Sequence, residues 1–492
     1  MKKVKQILVL VLALALVAGI AACATPAPAT PTEPAAPADT TAPAVQPPTA
    51  PPPPAIPGEA PVADEIVDRE PVEITYAMWG DDAEVATLEA TIARFNEEFP
   101  WITVRIIQVD RGEYEVWMNT MAAAGTLPDT AIMAEPMVIG WAERGALLPI
   151  DVDAIIQAVG DTPLPHLGFR HNGQTLAYSV CNNIVSLFYN VDMFEAAGVD
   201  VPPKTWASAW TWDQFVDTAK SLTLDSAGRN AHDPGFDRNN VVQYGFRQYN
   251  ATWMLEAWVR ANGGSWFDGP NSLTIDGARA VEATQMIADL HLVHGVMPQF
   301  GTNEGTIDTW LVEDTAMAVN GTWSFGVWLG GARANHGLNF NVGVLPRMGA
   351  QGTISTAGVN VMMSDTQHPE AASIWLAWYA QPENAWDLVE SGIWMPIFSQ
   401  WYQNEDMMRR WSDNDYPGRA SQNFPPFDDY RAAVIEASLS PVVYSAAWYT
   451  VPNMDVFLDV LGTVLAPVWN GTQTAQEAID GGMGALRAAN AS

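Results

Sequence analysis

The chain has 492 residues, of which 23 are Lys or Arg and 56 are Asp or Glu, giving a net charge of −33. That charge repels a polyanion before contact and no basic stripe interrupts it, so nucleic acid is excluded as a partner and a neutral or cationic ligand is favoured. Cysteine occurs only at Cys23 and Cys181, so stability has to come from a core, and the length allows two or three ordinary domains.

Met1-Lys2-Lys3-Val4-Lys5 is a basic start, and an apolar run from Ile7 to Ile20 leads to Ala21, Ala22 and Cys23. The run falls short of the roughly 20 apolar residues a membrane-spanning helix needs, and it ends in small residues, so residues 1–22 read as a secretory signal peptide. Ile20-Ala21-Ala22-Cys23 is similar to the lipobox of bacterial lipoproteins. The similarity implies lipidation of Cys23 with diacylglycerol, removal of the preceding peptide and a membrane anchor. Lipid on Cys23 leaves no intramolecular disulfide, and loss of Lys2, Lys3 and Lys5 takes the net charge to −36. Cys181, between Val180 and Asn182, reads as a packed small apolar residue. From Ala24 to about Val62 nearly every residue is Ala, Pro or Thr, so residues 23–70 read as a disordered but semi-rigid tether that favours polyproline II.

Folded structure is predicted from Pro71. Val72, Ile74 and Tyr76 alternate with less apolar residues as in a strand, and Val85, Leu88, Ile92 and Phe95 then take helical spacing. After Pro100 a second strand carries Ile102, Val104 and Ile106, completing a βαβ unit. The pattern recurs: a helix over Tyr114 to Ala124, a turn at Gly125 to Pro128, a strand at Thr130 to Met133 and a helix ending at Gly145. Such alternation predicts an α/β architecture with helices covering a mostly parallel sheet. Further strands are predicted at Ala177 to Val180, Val185 to Tyr189, Ala316 to Val319 and Asn341 to Leu345. Helices are predicted at Trp212 to Ser221, with Trp206 and Trp212 stapling its start, and near Trp253 to Asn262, Ala278 to His294 and Pro369 to Tyr379. Asp225 to Asn240 reads as a solvated loop, since its acids lack the spacing of a calcium-binding loop.

Several segments, in order, carry a resemblance to a known family. They are Ile74 to Gly80 with Phe95-Asn96-Glu97-Glu98-Phe99-Pro100, Ala124-Gly125-Thr126-Leu127-Pro128-Asp129, and Gly145-Ala146-Leu147-Leu148-Pro149. Then come Leu187-Phe188-Tyr189-Asn190, Phe194-Glu195-Ala196-Ala197-Gly198, Pro203-Lys204-Thr205-Trp206, Val319-Asn320-Gly321-Thr322-Trp323 and Pro369-Glu370-Ala371-Ala372. Taken together behind a lipobox, they resemble the family 1 extracellular solute-binding proteins, the group containing the maltose-binding protein and other sugar receptors of ABC importers. The resemblance implies a two-lobed periplasmic-binding-protein type II fold with a hinge and a ligand cleft between the lobes. Lobe 1 would comprise 71–185 and 350–396, and lobe 2 would comprise 186–349 and 397–492. The chain would cross near Asn183 to Asn190, Arg347 to Gly352 and Pro396 to Gln400.

A sugar presents a face of C–H bonds and a rim of hydroxyls, so its site pairs flat aromatics with carboxylates or amides. Of the 21 Trp, most must be core, Trp375 and Trp378 among them. The resemblance places Trp79, Asp81, Glu135, Asn183, Asn250, Trp253, Trp323, Asn360 and Trp394 at ligand-binding positions. Trp323 matches an aromatic on which sugar rings stack in the maltose receptor, whereas Asn183 stands where that receptor has an acid, which weakens a maltodextrin assignment. The expected partners are a sugar or oligosaccharide, ABC permease subunits and the membrane through the lipid anchor, for a monomer with no cofactor or metal.

The alternatives are a polyamine or peptide binding protein, or a secreted glycoside hydrolase. A glycosidase needs two carboxyls about 5 to 9.5 Å apart, and neither Asp81-Asp82 nor Glu97-Glu98 meets that need, because adjacent side chains diverge. No Gly-x-Ser-x-Gly elbow or His-Glu-x-x-His zinc motif is present, and His291 and His294, at helical spacing, lack an obvious third ligand.

Overall fold

The computed structural model describes residues 69–80, 82–249, 251–302 and 305–491. The signal, Cys23 and nearly all of the tether lie outside the described residues, as do the site candidates Asp81 and Asn250. In chain order the strands are β1 (Val72–Trp79), β2 (Ile102–Val109), β3 (Thr130–Ala134), β4 (Leu147–Leu148), β5 (Gly168–His171), β6 (Gln174–Ser179) and β7 (Asn183–Asn190). They continue with β8 (Leu224–Asp225), β9 (Val241–Gln248), β10 (Thr315–Gly321), β11 (Phe340–Gly343), β12 (Thr353–Thr356), β13 (Gly358–Met363) and β14 (Val443–Ser445).

Two sheets result. The first has the order β2-β1-β3-β13-β6-β5, with β4 beside β13, and the second has β14-β12-β7-β10-β9-β8, with β11 beside β7. The predicted βαβ unit is present, since β1 lies parallel to both β2 and β3, with Tyr76 opposite Ile106 on one side and Thr130 on the other. The predicted mostly parallel sheet is corrected: among the described residues four strand pairings are parallel and eight antiparallel. The reason is that β13, entering from the other sheet, runs antiparallel between β3 and β6, and β7 does the same among β10, β11 and β12. No βαβ crossover fixes the direction of strands that arrive this way.

The strand-to-strand exchange between sheets falls at Val180–Asn182, joining β6 to β7, and at Ala357, joining β12 to β13. Asn183 to Asn190, expected to cross, is instead strand β7 in full, buried throughout, and Arg347 to Gly352 precedes the exchange at Ala357. The Val180 N–H donates to the Gly358 carbonyl at 2.9 Å and the Asn182 N–H to the Met395 carbonyl at 3.0 Å. Three connecting segments thus lie side by side.

Aromatic packing fills both halves. Helix Pro369–Tyr379 covers the first sheet, with Trp375 stacked on Tyr379 at 4.8 Å and edge-on to Tyr76 at 5.8 Å, and Phe95 from helix Asp82–Glu98 closes the cluster. Each such ring contributes roughly 1.5–3 kcal/mol by burial. On the second sheet, Phe215 of helix Trp212–Leu222 meets Phe246 of β9 at 5.1 Å and Trp258 at 6.1 Å. That helix starts with a capping box between Thr211 and Gln214. Trp212 packs on Phe215 as expected, whereas the Trp206 indole turns away to the Ala437 carbonyl. Beyond Tyr379, helices Met454–Trp469 and Ala475–Ala491 pack on each other, and the first also rests on helix Glu135–Glu143, the turn Thr252–Met254 and helix Ala278–Leu292.

Candidate functional site

A cavity of 760 Å³ opens where strands of both sheets end. Trp79 is the last residue of β1, Asp110 and Arg111 follow β2, and Glu135 follows β3; from the second sheet, Tyr249 follows β9 and Trp323 lies just after β10. These are carboxyl ends of parallel strands, where open sheets leave room for a ligand. Asn183, Thr356, Ala357 and Gly358 form the wall where the chain passes between sheets.

Six of the nine sequence-derived candidates line this cavity: Trp79, Glu135, Asn183, Trp253, Trp323 and Trp394. Trp79 stands edge-to-face with Tyr114 at 5.1 Å and carries the Arg111 guanidinium 4.6 Å from its ring centre. Trp253 lies 6.1 Å from Trp323 and, nearly perpendicular, 5.6 Å from Trp448, so three indoles form one corner. Trp323 is held by a close approach: a Cβ at Gly321 would fall 1.8 Å from its ring. Trp394 packs on Tyr379 at 5.5 Å.

Glu135 opens helix Glu135–Glu143, where an acid complements the helix dipole. Its Oε1 accepts hydrogen bonds from Thr356 Oγ1 at 2.9 Å and from the Ala357 N–H, so it fastens the end of β3 to the connection between sheets. Burial pushes its carboxyl up to about 7, against the opposing pull of those hydrogen bonds and of Arg111. Asn183 is buried, accepting from Thr322 Oγ1 at 2.7 Å and donating to Cys181 Sγ at 3.1 Å. Cys181 is packed as expected, though at the cavity wall, and burial pushes its thiol up to about 12.

Asn360 is placed elsewhere. It lies in β13 between β3 and β6, 5% exposed and outside the cavity lining, with its Oδ1 taken by the Tyr76 hydroxyl at 2.8 Å. Asp81 and Asn250 are outside the described residues, but their neighbours Gly80 and Tyr249 line the cavity. Sequence reasoning did not single out Tyr249, Trp328, Trp448, Asp110, Arg111, Asp455 or Asp459, all in the lining. Tyr249 and Trp328 were within reach, lying one and five residues from the candidates Asn250 and Trp323. Trp448 and the two acids come from the segment after Tyr379, to which no element was assigned.

The family described as "Bacterial extracellular solute-binding protein" matches residues 79–386. A curated relative, the sn-glycerol-3-phosphate-binding periplasmic protein UgpB of Pectobacterium atrosepticum, is 23% identical over 411 residues, 79% of this chain and 84% of its own. An ABC substrate-binding protein of Listeria monocytogenes in complex with cycloalternan superposes with a TM-score of 0.68 at 20% identity, covering 85% of this chain and 99% of that one. The GacH receptor of Streptomyces glaucescens, solved without ligand and with acarbose, gives 0.67 at 18% identity with the same coverage. Both are of the two-lobed kind that the paired sheets and their connections describe here. The family match takes in well over half of the chain, which therefore belongs to the bacterial extracellular solute-binding proteins, binding proteins that act outside the cytoplasm.

Proposed function

We propose that this chain captures a sugar or oligosaccharide in the cavity between its sheets and delivers it to the permease of an ABC importer. The observation that carries the reading is the lining itself, with indole rings of Trp79, Trp253, Trp323 and Trp394 beside the carboxylate of Glu135 and the amide of Asn183. Flat apolar faces suit the C–H face of a pyranose, and carboxylates and amides suit its hydroxyls. Asp81 and Asn250 join the proposed ligand contacts through their neighbours in the lining. Asn360 takes a supporting role behind Tyr76. The relatives solved with cycloalternan and acarbose favour a saccharide. An anion such as the glycerol phosphate in the name of the curated relative fits less well, because among the described residues the lining has one cation, Arg111, against Glu84, Asp110, Glu115, Glu135, Asp455 and Asp459. The arrangement serves binding, with no catalytic step.

Closure is assigned to the three connections at Val180–Asn182, Ala357 and Met395, with lobe 1 built on the first sheet and lobe 2 on the second. Cys23 is proposed as the lipid anchor, keeping the receptor beside its permease. Calorimetry and thermal shift against saccharides, polyamines and peptides test the ligand class: saccharides should raise the melting temperature, and a response to spermidine with none to any saccharide refutes the reading. For the anchor, a palmitate analogue should label the wild type in cells and leave Cys23→Ser unlabelled.

A further inference from the structure

We propose that this protein takes up a proton when it binds its saccharide, and that Glu135 is the group that receives it. The proposal rests on the saccharide reading and the closure given above, and adds a regulation to that site. Glu135 follows β3 of the first sheet and is half-buried at the cavity wall. Its Oε1 reaches the other half, accepting from Thr356 Oγ1 of β12 at 2.9 Å and from the N–H of Ala357, where the chain changes sheets. One carboxyl therefore meets both the ligand space and a connection about which the halves would turn.

Both bonds are donated to Glu135 and favour its charged form, whereas expulsion of water from the cavity favours the neutral one. The surrounding charges decide which effect prevails on closure. Arg111 is the one cation among the described lining residues, and it is shared, pairing with Glu115 at 3.4 Å and lying over the Trp79 ring. Glu84, Asp110, Asp455 and Asp459 add negative charge to the same lining. A saccharide that displaces water removes screening between these acids and Glu135, so closure raises the affinity of Glu135 for a proton. The other ionisable groups acting on it are Cys181 of the connection and Tyr449 of the turn Ala447–Tyr449. Strands β5 and β6 also pack on helix Glu135–Glu143 and carry Arg170, His171 and Tyr178, of which His171 closes the β5–β6 turn with its ring bonded to Asn172. Burial pushes Cys181, Tyr178 and Tyr449 up, so these three stay neutral near pH 7. Burial also brings the Glu135 carboxyl to about 7, so a further rise on closure changes its proton occupancy near neutrality. The neutral carboxyl gains an O–H donor, which a ring or glycosidic oxygen of the saccharide can accept.

The test is calorimetry on the full mature chain with the tightest-binding member of a panel of neutral glucose-, galactose- and mannose-based mono- and oligosaccharides. Titrations at pH 7 in buffers of different ionisation enthalpy count the protons exchanged. A rise of about one unit on binding corresponds to uptake of roughly 0.4 proton at pH 7 and to about fivefold weaker binding at pH 8 than at pH 6. Glu135→Gln should bring the uptake close to zero and flatten the pH profile. Thr356→Val removes a bond that favours the charged form, so it should move the midpoint of the profile to higher pH, which a merely structural role would not do. Saccharide bound with no proton exchanged, or with protons released, overturns this inference and leaves the saccharide reading standing. Uptake unchanged in Glu135→Gln overturns the assignment to Glu135, and if that variant fails to fold or bind, a midpoint unmoved in Thr356→Val does the same. Absence of binding by every saccharide across the pH range overturns both readings.

Discussion

Glu135 joins the cavity to the connection between sheets, and burial alters the chemistry of its carboxyl. Its ordinary value of 4.5 rises to about 7 through burial. The folded protein therefore holds a proton that the unfolded chain releases, so the contribution to stability is largest below pH 4.5 and is lost as pH rises through about 7. Glu135→Gln keeps an acceptor for Thr356 and Ala357 without the charge. Melting curves between about pH 5 and pH 8 should fall more steeply for the wild type than for the variant, by an amount on the order of a few degrees. Glu135 could be singled out from the sequence because it follows a predicted strand, but the sequence had no way to indicate its link to Thr356, which is 221 positions away.

At the scale of elements, the periodic segments were legible. Tyr114 to Ala124 and Pro369 to Tyr379 form helices over the predicted residues, because each has an apolar face at helical spacing and an end signal, Gly125 at φ 66° closing the first and Pro369 opening the second. Helix Met454–Trp469 was not legible. Its buried residues Met454, Phe457, Leu461, Leu465 and Val468 do recur at helical spacing, but Val456, Leu458, Val460 and Val464 carry apolar character onto the other faces and Gly462 and Pro467 interrupt the run, which obscures the stripe. Close packing between elements is testable at Gly245 in β9, where a Cβ would fall 2.0 Å from the Ala219 carbonyl oxygen of helix Trp212–Leu222. Gly245→Ala must push helix from strand, and chemical denaturation should show a loss of about 2–3 kcal/mol with the fold retained.

For the molecule as a whole, three adjacent connections between two sheets allow rotation with little repacking inside either sheet, which is the geometry of hinge closure. In the proposed closure, ligand contacts on both walls would supply the differential affinity that drives it. Small-angle scattering should give a smaller radius of gyration with saturating saccharide than without, and an unchanged radius would count against closure. What could be read from the sequence alone was local or cumulative: the basic and apolar start with its lipobox-like end at Cys23, the acidity that disfavours polyanions, the βαβ start and the indoles placed at strand ends. Direction and assembly were decided by tertiary structure. A strand buried on both faces, such as β7, reads the same whichever way it runs and whichever sheet receives it, so the antiparallel pairings and the exchanges at Val180–Asn182 and Ala357 leave no periodic trace. The same holds for the cavity wall carrying Asp455 and Asp459, because these acids come to line it only when the chain brings their helix back against the turn Thr252–Met254.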